Sequence, residues 1–179
     1  KPQTSLDVLG KLRPAFRKKS GSVTAGNASG LNDGASALLM ASEAGLKAAN
    51  LEPLSEIVSS AVVGVPPRIM GIGPVEASKR ALAKAGLGWD DVDVIELNEA
   101  FAAQSLACIR SWNLDDDDVR INPNGGAIAI GHPLGMTGAR ILLACAKELA
   151  RRNGRYGLVT LCIGVGQGYA VVIKNCQSA

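Results

Sequence analysis

The chain reads as an α/β protein, a mixed sheet covered by helices, on three observations. Short apolar runs of strand length, at 57–63, 92–97, 158–162 and 169–173, are bounded by glycine and proline. Longer stretches between them carry apolar residues at helical spacing. The 21 glycines cluster where one kind of element gives way to the next. With one more short run at 119–121, the order is strand-helix-strand-helix-strand-helix-strand-strand, or βαβαβαββ.

Each element has its own signal. Residues 1–20 are polar and basic, including Lys11-Leu12-Arg13-Pro14 and Arg17-Lys18-Lys19. Such a stretch is either a solvated loop face or a contact for the phosphates of a nucleotide-bearing ligand. Residues 22–25 read as a short strand and 26–34 as a polar, glycine-punctuated turn. Asp33 is placed to cap a helix rich in Ala, Leu and Met that runs to about residue 49, with Asn50 suited to the left-handed position past its end. Pro53 marks a boundary, and 57–63 is a strand of the fully buried type. Pro66-Pro67 breaks the chain, Pro74 opens a helix and Gly86 closes it. Strand 92–97 enters, through Asn98-Glu99, a helix to about residue 112. After the glycine-rich loop 124–135, a helix over 136–152 puts Ile141, Leu142, Cys145 and Leu149 on one face, with Gly154 beyond its end. Two closing strands are joined by a glycine turn.

Composition narrows the class. A chain of 179 residues, 47% hydrophobic and 20% charged, is long enough for one core and has no low-complexity tract. A formal charge of +3 with 3% aromatic residues argues against nucleic acid as a partner. No apolar run approaches the roughly 20 residues of a membrane helix, and no signal peptide is visible. Four cysteines with one histidine and no Cys-x-x-Cys pair argue against a zinc site, and the aliphatic content argues against a disulfide framework. Cys108 and Cys145 fall on apolar helix faces as buried thiols. Cys176, near the chain end, is incidental. Cys162 stands apart, where an apolar strand meets Gly164-Val165-Gly166-Gln167-Gly168.

The candidate chemistry gathers in three turns. His132, the sole histidine, lies in Gly131-His132-Pro133-Leu134-Gly135. A lone histidine is ordinarily a satisfied structural residue. Here a helix opens shortly after it, and nearby backbone N–H groups would favour the neutral imidazole. A His and a Cys in two such turns suggest a thiolate–imidazole pair. At a pKa of about 8.5 only roughly 3% of a thiol is ionised at pH 7, so Cys162 needs a neighbour to bring it down to about 7, a differential stabilisation of about 2 kcal/mol. Gly164-x-Gly166-x-Gly168 lacks the spacing of a dinucleotide loop and leads into a strand, which excludes that reading. The N–H of Gly164 could instead face a developing oxyanion, where losing one donor costs about 2.7–4 kcal/mol. Asn98, on local grounds, is either a helix N-cap or a positioned amide, and Glu99 reads as a first-turn helix residue.

Taken together and in this order, Asn98-Glu99-Ala100-Phe101-Ala102, the run Gly125 to Arg140 around His132, and Cys162 to Gly168 resemble the C-terminal half of a thiolase, the family that makes and cleaves 3-ketoacyl-CoA. The match covers nearly the whole chain. The resemblance implies a thiolase-type fold, with residues 51–179 the C-terminal domain and 1–50 the trailing end of a pseudo-symmetric N-terminal half. It implies Cys162 as an acid/base acting on the α-carbon of an acyl-CoA, and Gly164 as an oxyanion donor. It also implies that Asn98 positions a water that joins His132 Nε2 in a second oxyanion site. Ala100 and Phe101 would line the pocket for the pantetheine arm, Ala25 and Ser29 match positions that contact that arm, and Leu12 matches a position near the adenine. No metal or separate cofactor is implied; coenzyme A thioesters enter as substrates. Acetyl-CoA, a longer acyl-CoA, the N-terminal half and further copies in a homodimer or homotetramer are the expected partners. The compartment is cytoplasmic, with mitochondrial and peroxisomal settings open.

None of Cys108, Cys145, Cys162 and Cys176 lies in the Cys-Ser/Ala-Ser-Gly type of context in which thiolases carry the acylated cysteine. The chain is therefore expected to be a fragment, inactive alone. Asn122-Pro123-Asn124-Gly125-Gly126 leans toward degradative or ketoadipyl-type thiolases. Two rivals stand beside this reading. A ketoacyl-synthase type of condensing enzyme would need further histidines, and a non-catalytic CoA-binding or assembly module of the same fold would need no nucleophile.

Overall fold

The computed structural model describes residues 3–177. Its ordered body starts at β1 (Ser55–Gly64) and continues through a 3₁₀ segment (Pro67–Ile72), α3 (Gly73–Ala85), β2 (Val94–Leu97), α4 (Ala102–Ser111), the single turn α5 (Ala127–Ile130), α6 (Thr137–Arg152), β3 (Tyr156–Ile163) and β4 (Gln167–Asn175). Two short helices precede it, α1 (Leu6–Gly10) and α2 (Glu43–Ala49). Among the described residues the four strands form one mixed sheet in the order β1-β4-β3-β2. β4 runs antiparallel to both neighbours, while β2 and β3 are parallel.

The core follows from strand alternation. Ile95, Leu158 and Val172 point to one face, where they meet Ala77, Ala81 and Leu82 of α3. Their chain neighbours Val94, Val159 and Val171 point to the other, against Ile141, Cys145 and Leu149 of α6. A sheet with both faces covered reads as near-continuous apolar strands, as β2, β3 and β4 do. α4 packs Cys108, Ile109 and Trp112 around Leu97, and Trp112 lies against Trp89 with ring centroids 4.9 Å apart.

Helix ends form where the chain has the residues for them. Pro74 sits in the first turn of α3, and Gly86 ends it at φ 70°. Asn153 closes α6 at φ 54°, and Asn50 closes α2 at φ 51°. In the last turns of α6 the buried Glu148 accepts from Arg151 (2.5 Å), from Arg152 and from Asn124 Nδ2 (3.0 Å). Arg151 first, then Asn124 and Arg152, hold its carboxyl down to about 2. This ties α6 to the loop that leads to His132.

Several expectations need correction. Residues 22–25 form no strand; the neighbouring segment contributes only an isolated bridge, Ala28 with Phe101. The helix drawn from Asp33 to residue 49 is reduced to α2, whose N-cap is Ser42, accepting from Gly45 N at 3.2 Å. Residues 31–41 have no regular structure; Leu39 and Met40 stay 84% and 63% exposed at the rim of a cleft shared with Leu142 and Leu143 of α6, too little burial to hold a helix. β1 is an edge strand with Ile57, Val58 and Val62 exposed, so it is not of the fully buried type. Residues 119–121 reduce to an isolated parallel bridge, Ile121 with Ile95. The helix after β2 starts at Ala102, behind Phe101 as N-cap, so Asn98 caps nothing.

Candidate active site

The site is assembled where β2 and β3 end near the start of α6. Asn98 follows β2 directly, and its backbone N–H donates to Thr160 O of β3 at 3.0 Å. That bond continues the parallel β2–β3 pairing by one residue and sets Asn98 beside the strand that leads to Cys162. His132 follows Gly131, which adopts φ 99°, a conformation open to glycine and strained for other residues. The His132 backbone N–H is held twice from the N-terminal segment, by Gly30 O at 3.0 Å and Asn32 Oδ1 at 3.2 Å.

These two turns meet. Asn98 Nδ2 lies 3.3 Å from His132 Nε2, and His132 Nδ1 lies 2.7 Å from Thr137 Oγ1 in the first turn of α6. Thr137 is fully buried, and its hydroxyl also reaches Pro133 O at 3.1 Å. Asn98 Oδ1 is buried and, among the described residues, unpartnered. A buried amide oxygen without a partner marks a place for a donor such as water. The imidazole is held below its ordinary range, first by burial and second by the Arg140 charge. The neutral form was anticipated; its cause is desolvation and Arg140.

Cys162 lies near the end of β3 and is 8% exposed. Burial pushes its thiol up, opposed by a backbone hydrogen bond. The expected lowering toward 7, by an imidazole or by inward-pointing backbone N–H groups, is therefore corrected: a backbone hydrogen bond acts in that direction but burial outweighs it. No hydrogen bond joins Cys162 and His132 among the described residues, and no cation offsets the desolvation of its sulfur. The resting group is a thiol. Cys108, on α4, is pushed up to about 11 by burial, and Cys145 is raised still more strongly by the same cause.

The glycines after Cys162 divide cleanly. A Cβ on Gly168 would fall 2.1 Å from the carbonyl carbon of Gly73, where the start of α3 crosses β4. Gly166 adopts φ 89°, and a Cβ there would fall 2.3 Å from Val65 O. Gly164 has an ordinary φ, and a Cβ on it would meet nothing within 4 Å. The fold demands glycine at 166 and 168 and leaves 164 free.

Glu99 and Asn122 hold the frame. Asn122 pairs with Leu97 as a strand residue would: its Oδ1 accepts from Leu97 N and its Nδ2 donates to Leu97 O, both at 2.9 Å. Glu99 accepts from Asn122 Nδ2 at 2.9 Å and from Ile128 N at 3.1 Å. Glu99 thus precedes α4 and caps α5, in place of the first-turn role expected for it. The carboxylate occupies the space a side chain at position 126 would need, which accounts for Gly126.

The residues expected to meet a CoA arm also come together. Ser29 N donates to Ala100 O at 3.1 Å and Ala102 N to Asn27 O at 2.9 Å, flanking the Ala28–Phe101 bridge. Phe16 packs edge-on to Phe101, with ring centroids 6.0 Å apart, and Leu12 lies against Gly26, next to Ala25. Sequence reasoning missed Thr137, Asn32 and Glu96. Thr137 carried a usable signal, since it opens the helix five residues after the only histidine.

Comparisons with known proteins agree over nearly the whole chain. Residues 51–175 match the family model for the thiolase C-terminal domain, and residues 1–44 that for the thiolase N-terminal domain. The 3-oxoadipyl-CoA/3-oxo-5,6-dehydrosuberyl-CoA thiolase of Escherichia coli (strain K12) is 58% identical over 98% of this chain and 43% of its own length. The beta-ketoadipyl-CoA thiolase of Acinetobacter baylyi is 53% identical over 96% of this chain and 43% of its own length. The crystal structure of human mitochondrial 3-ketoacyl-CoA thiolase in complex with CoA superposes with a TM-score of 0.90 at 50% identity, covering 98% of this chain and 44% of that one. The chain thus spans less than half the length of the relatives it matches. With both family models and this level of identity on the same α/β frame, the chain belongs to the thiolase family.

Proposed function

We propose that the protein carrying this chain is a 3-ketoacyl-CoA thiolase, and that the chain supplies the acid/base half of its site without the acyl-carrying cysteine. The observation that carries this reading is the contact of Asn98 Nδ2 with His132 Nε2, beside a buried, unpartnered Asn98 Oδ1. A water on Asn98 and a protonated Nε2 would together hold the enolate oxygen. Cys162 would exchange a proton with the α-carbon: its thiol gives one to the departing enolate during thiolysis, and its thiolate takes one during condensation. Gly164 N–H would face the oxygen of the acyl thioester.

Relatives named for 3-oxoadipyl-CoA and beta-ketoadipyl-CoA support a 3-oxo-dicarboxylyl-CoA as substrate. Leu12, Ala25, Ser29, Ala100 and Phe101 would take the CoA arm, a reading supported by their coming together beside the Ala28–Phe101 bridge.

The test is thiolysis by the full-length protein with free CoA, comparing 3-oxoadipyl-CoA with acetoacetyl-CoA, and the same assay on the 179-residue chain. Cleavage by the full-length protein, faster on 3-oxoadipyl-CoA, with none by the chain, is expected. Binding of CoA without cleavage would favour the non-catalytic module. Turnover by the chain alone, abolished by Cys162→Ala, would show that the nucleophile has been misplaced.

A further inference from the structure

The sole histidine shares its motif with a second buried polar side chain, Thr137, five residues on in the first turn of α6. We propose that Thr137 is a positioning residue that selects the Nδ1–H tautomer of His132, so that Nε2 meets Asn98 and the cleft as a proton acceptor. The proposal deepens the thiolase reading above, but the observation behind it stands without a substrate.

The argument is a count of protons. Thr137 Oγ1 has one proton and lies within reach of two acceptors, Pro133 O at 3.1 Å and His132 Nδ1 at 2.7 Å. If Nδ1 carries the ring proton, it donates to Oγ1, and the hydroxyl proton remains for Pro133 O. Nε2 then presents a lone pair, which the Asn98 amide N–H meets at 3.3 Å. Three hydrogen bonds form in series, from Asn98 through the ring and the hydroxyl to a backbone carbonyl.

The other tautomer does worse at both ends. The hydroxyl must turn to Nδ1 and gives up Pro133 O, a carbonyl that keeps the backbone N–H groups of Met136 at 2.8 Å and Thr137 at 3.1 Å, so one hydrogen bond is lost without leaving an atom bare. At the far end Nε2–H confronts the Asn98 NH₂, donor against donor. Turning the amide over would cure that clash but would bury an NH₂ where Oδ1 now finds no protein partner, an unsatisfied donor in place of an unsatisfied acceptor. A discrete water on the buried Asn98 amide would serve either orientation of it, so the count stands at three protein hydrogen bonds for the Nδ1–H form against two for the other. The partner of one ring nitrogen fixes the role of the other.

The consequence is directional. A neutral Nε2 takes a proton from a thiol and leaves it as thiolate, and the ring becomes an imidazolium. Its new Nε2–H then points at the cleft as an oxyanion donor, while Nδ1–H stays on Thr137. The base of one step becomes the hydrogen-bond donor of the next without the ring turning.

In the full-length protein the ring ¹⁵N signals of His132 are identified as those lost in His132→Gln. At pH 8, above the range of the depressed imidazole, wild type should show a pyrrole-type Nδ1 and a pyridine-type Nε2. Thr137→Val, close in shape, should shift the population toward Nε2–H, the form free imidazole side chains prefer, while Thr137→Ser should restore the wild-type pattern. A wild-type spectrum with Nε2 protonated would overturn the proposal, whatever the variants do. So would an unchanged Nδ1–H signature in folded Thr137→Val or, should that variant not fold, in Thr137→Ala. None of these readings requires thiolysis, so the proposal can fail while the thiolase reading holds, and the reverse.

Discussion

At the scale of single residues, the least expected group is Glu96. It is 1% exposed on β2, at the edge of the sheet, with Oε1 unpartnered among the described residues. Burial raises its pKa from 4.5 to about 7; Arg140 opposes the rise, while Glu99 and Glu148 add to it. A folded-state pKa above the unfolded one means that the native state holds the proton more tightly. That contribution is fully present below about 4.5 and is lost as pH rises through 7. Glu96→Gln keeps the neutral shape at every pH. It should match wild-type stability at low pH and exceed it at high pH, the gap opening by roughly 2–3 kcal/mol between pH 5 and 8. Urea unfolding at the two pH values measures this. A constant gap would show that Glu96 is ionised in the native state throughout.

Among elements, the β3–β4 turn separates what the fold needs from what the site needs. At Gly168 an added Cβ meets the Gly73 backbone, which cannot yield as a flexible side chain could. Gly168→Ala should therefore cost about 3 kcal/mol, at the upper end for overpacking. Gly164→Ala should stay within about 0.5 kcal/mol of wild type, as for an exposed position with free space. In the full-length enzyme Gly164→Ala should nevertheless slow turnover. Thermal unfolding and thiolysis rates measured side by side check both halves. Equal destabilisation by the two substitutions would return Gly164 to a structural role.

The whole molecule shows which features were legible in sequence and which were not. α3 and α6 were readable because Pro74, Gly86 and Gly154 punctuate apolar patterns that a sheet face does cover. The stretch before α2 misled because Ala, Leu and Met favour a helix locally, yet helices in proteins persist through packing, and Leu39 and Met40 remain mostly exposed. Cys162 was readable as a position but not as a charge state, since local turn chemistry carries no account of desolvation. Asn32 was invisible, because it meets His132 across 100 residues of chain. Segment 27–32 therefore serves the site from a distance, pairing with Ala100 and Ala102 and holding the His132 backbone.

The central claim, that this chain holds proton-transfer groups and not the acyl carrier, is tested most directly by mapping the acyl-enzyme. The full-length protein, its Cys162→Ser variant and its His132→Ala variant would be mixed with acetyl-CoA, quenched in acid, and their peptides weighed. The account predicts an acetyl adduct on a cysteine outside this chain in wild type and in Cys162→Ser. It predicts little adduct in His132→Ala, and loss of carbon–carbon bond formation in both variants. An adduct on the peptide containing Cys162, or full acylation of His132→Ala with none of Cys162→Ser, would contradict it.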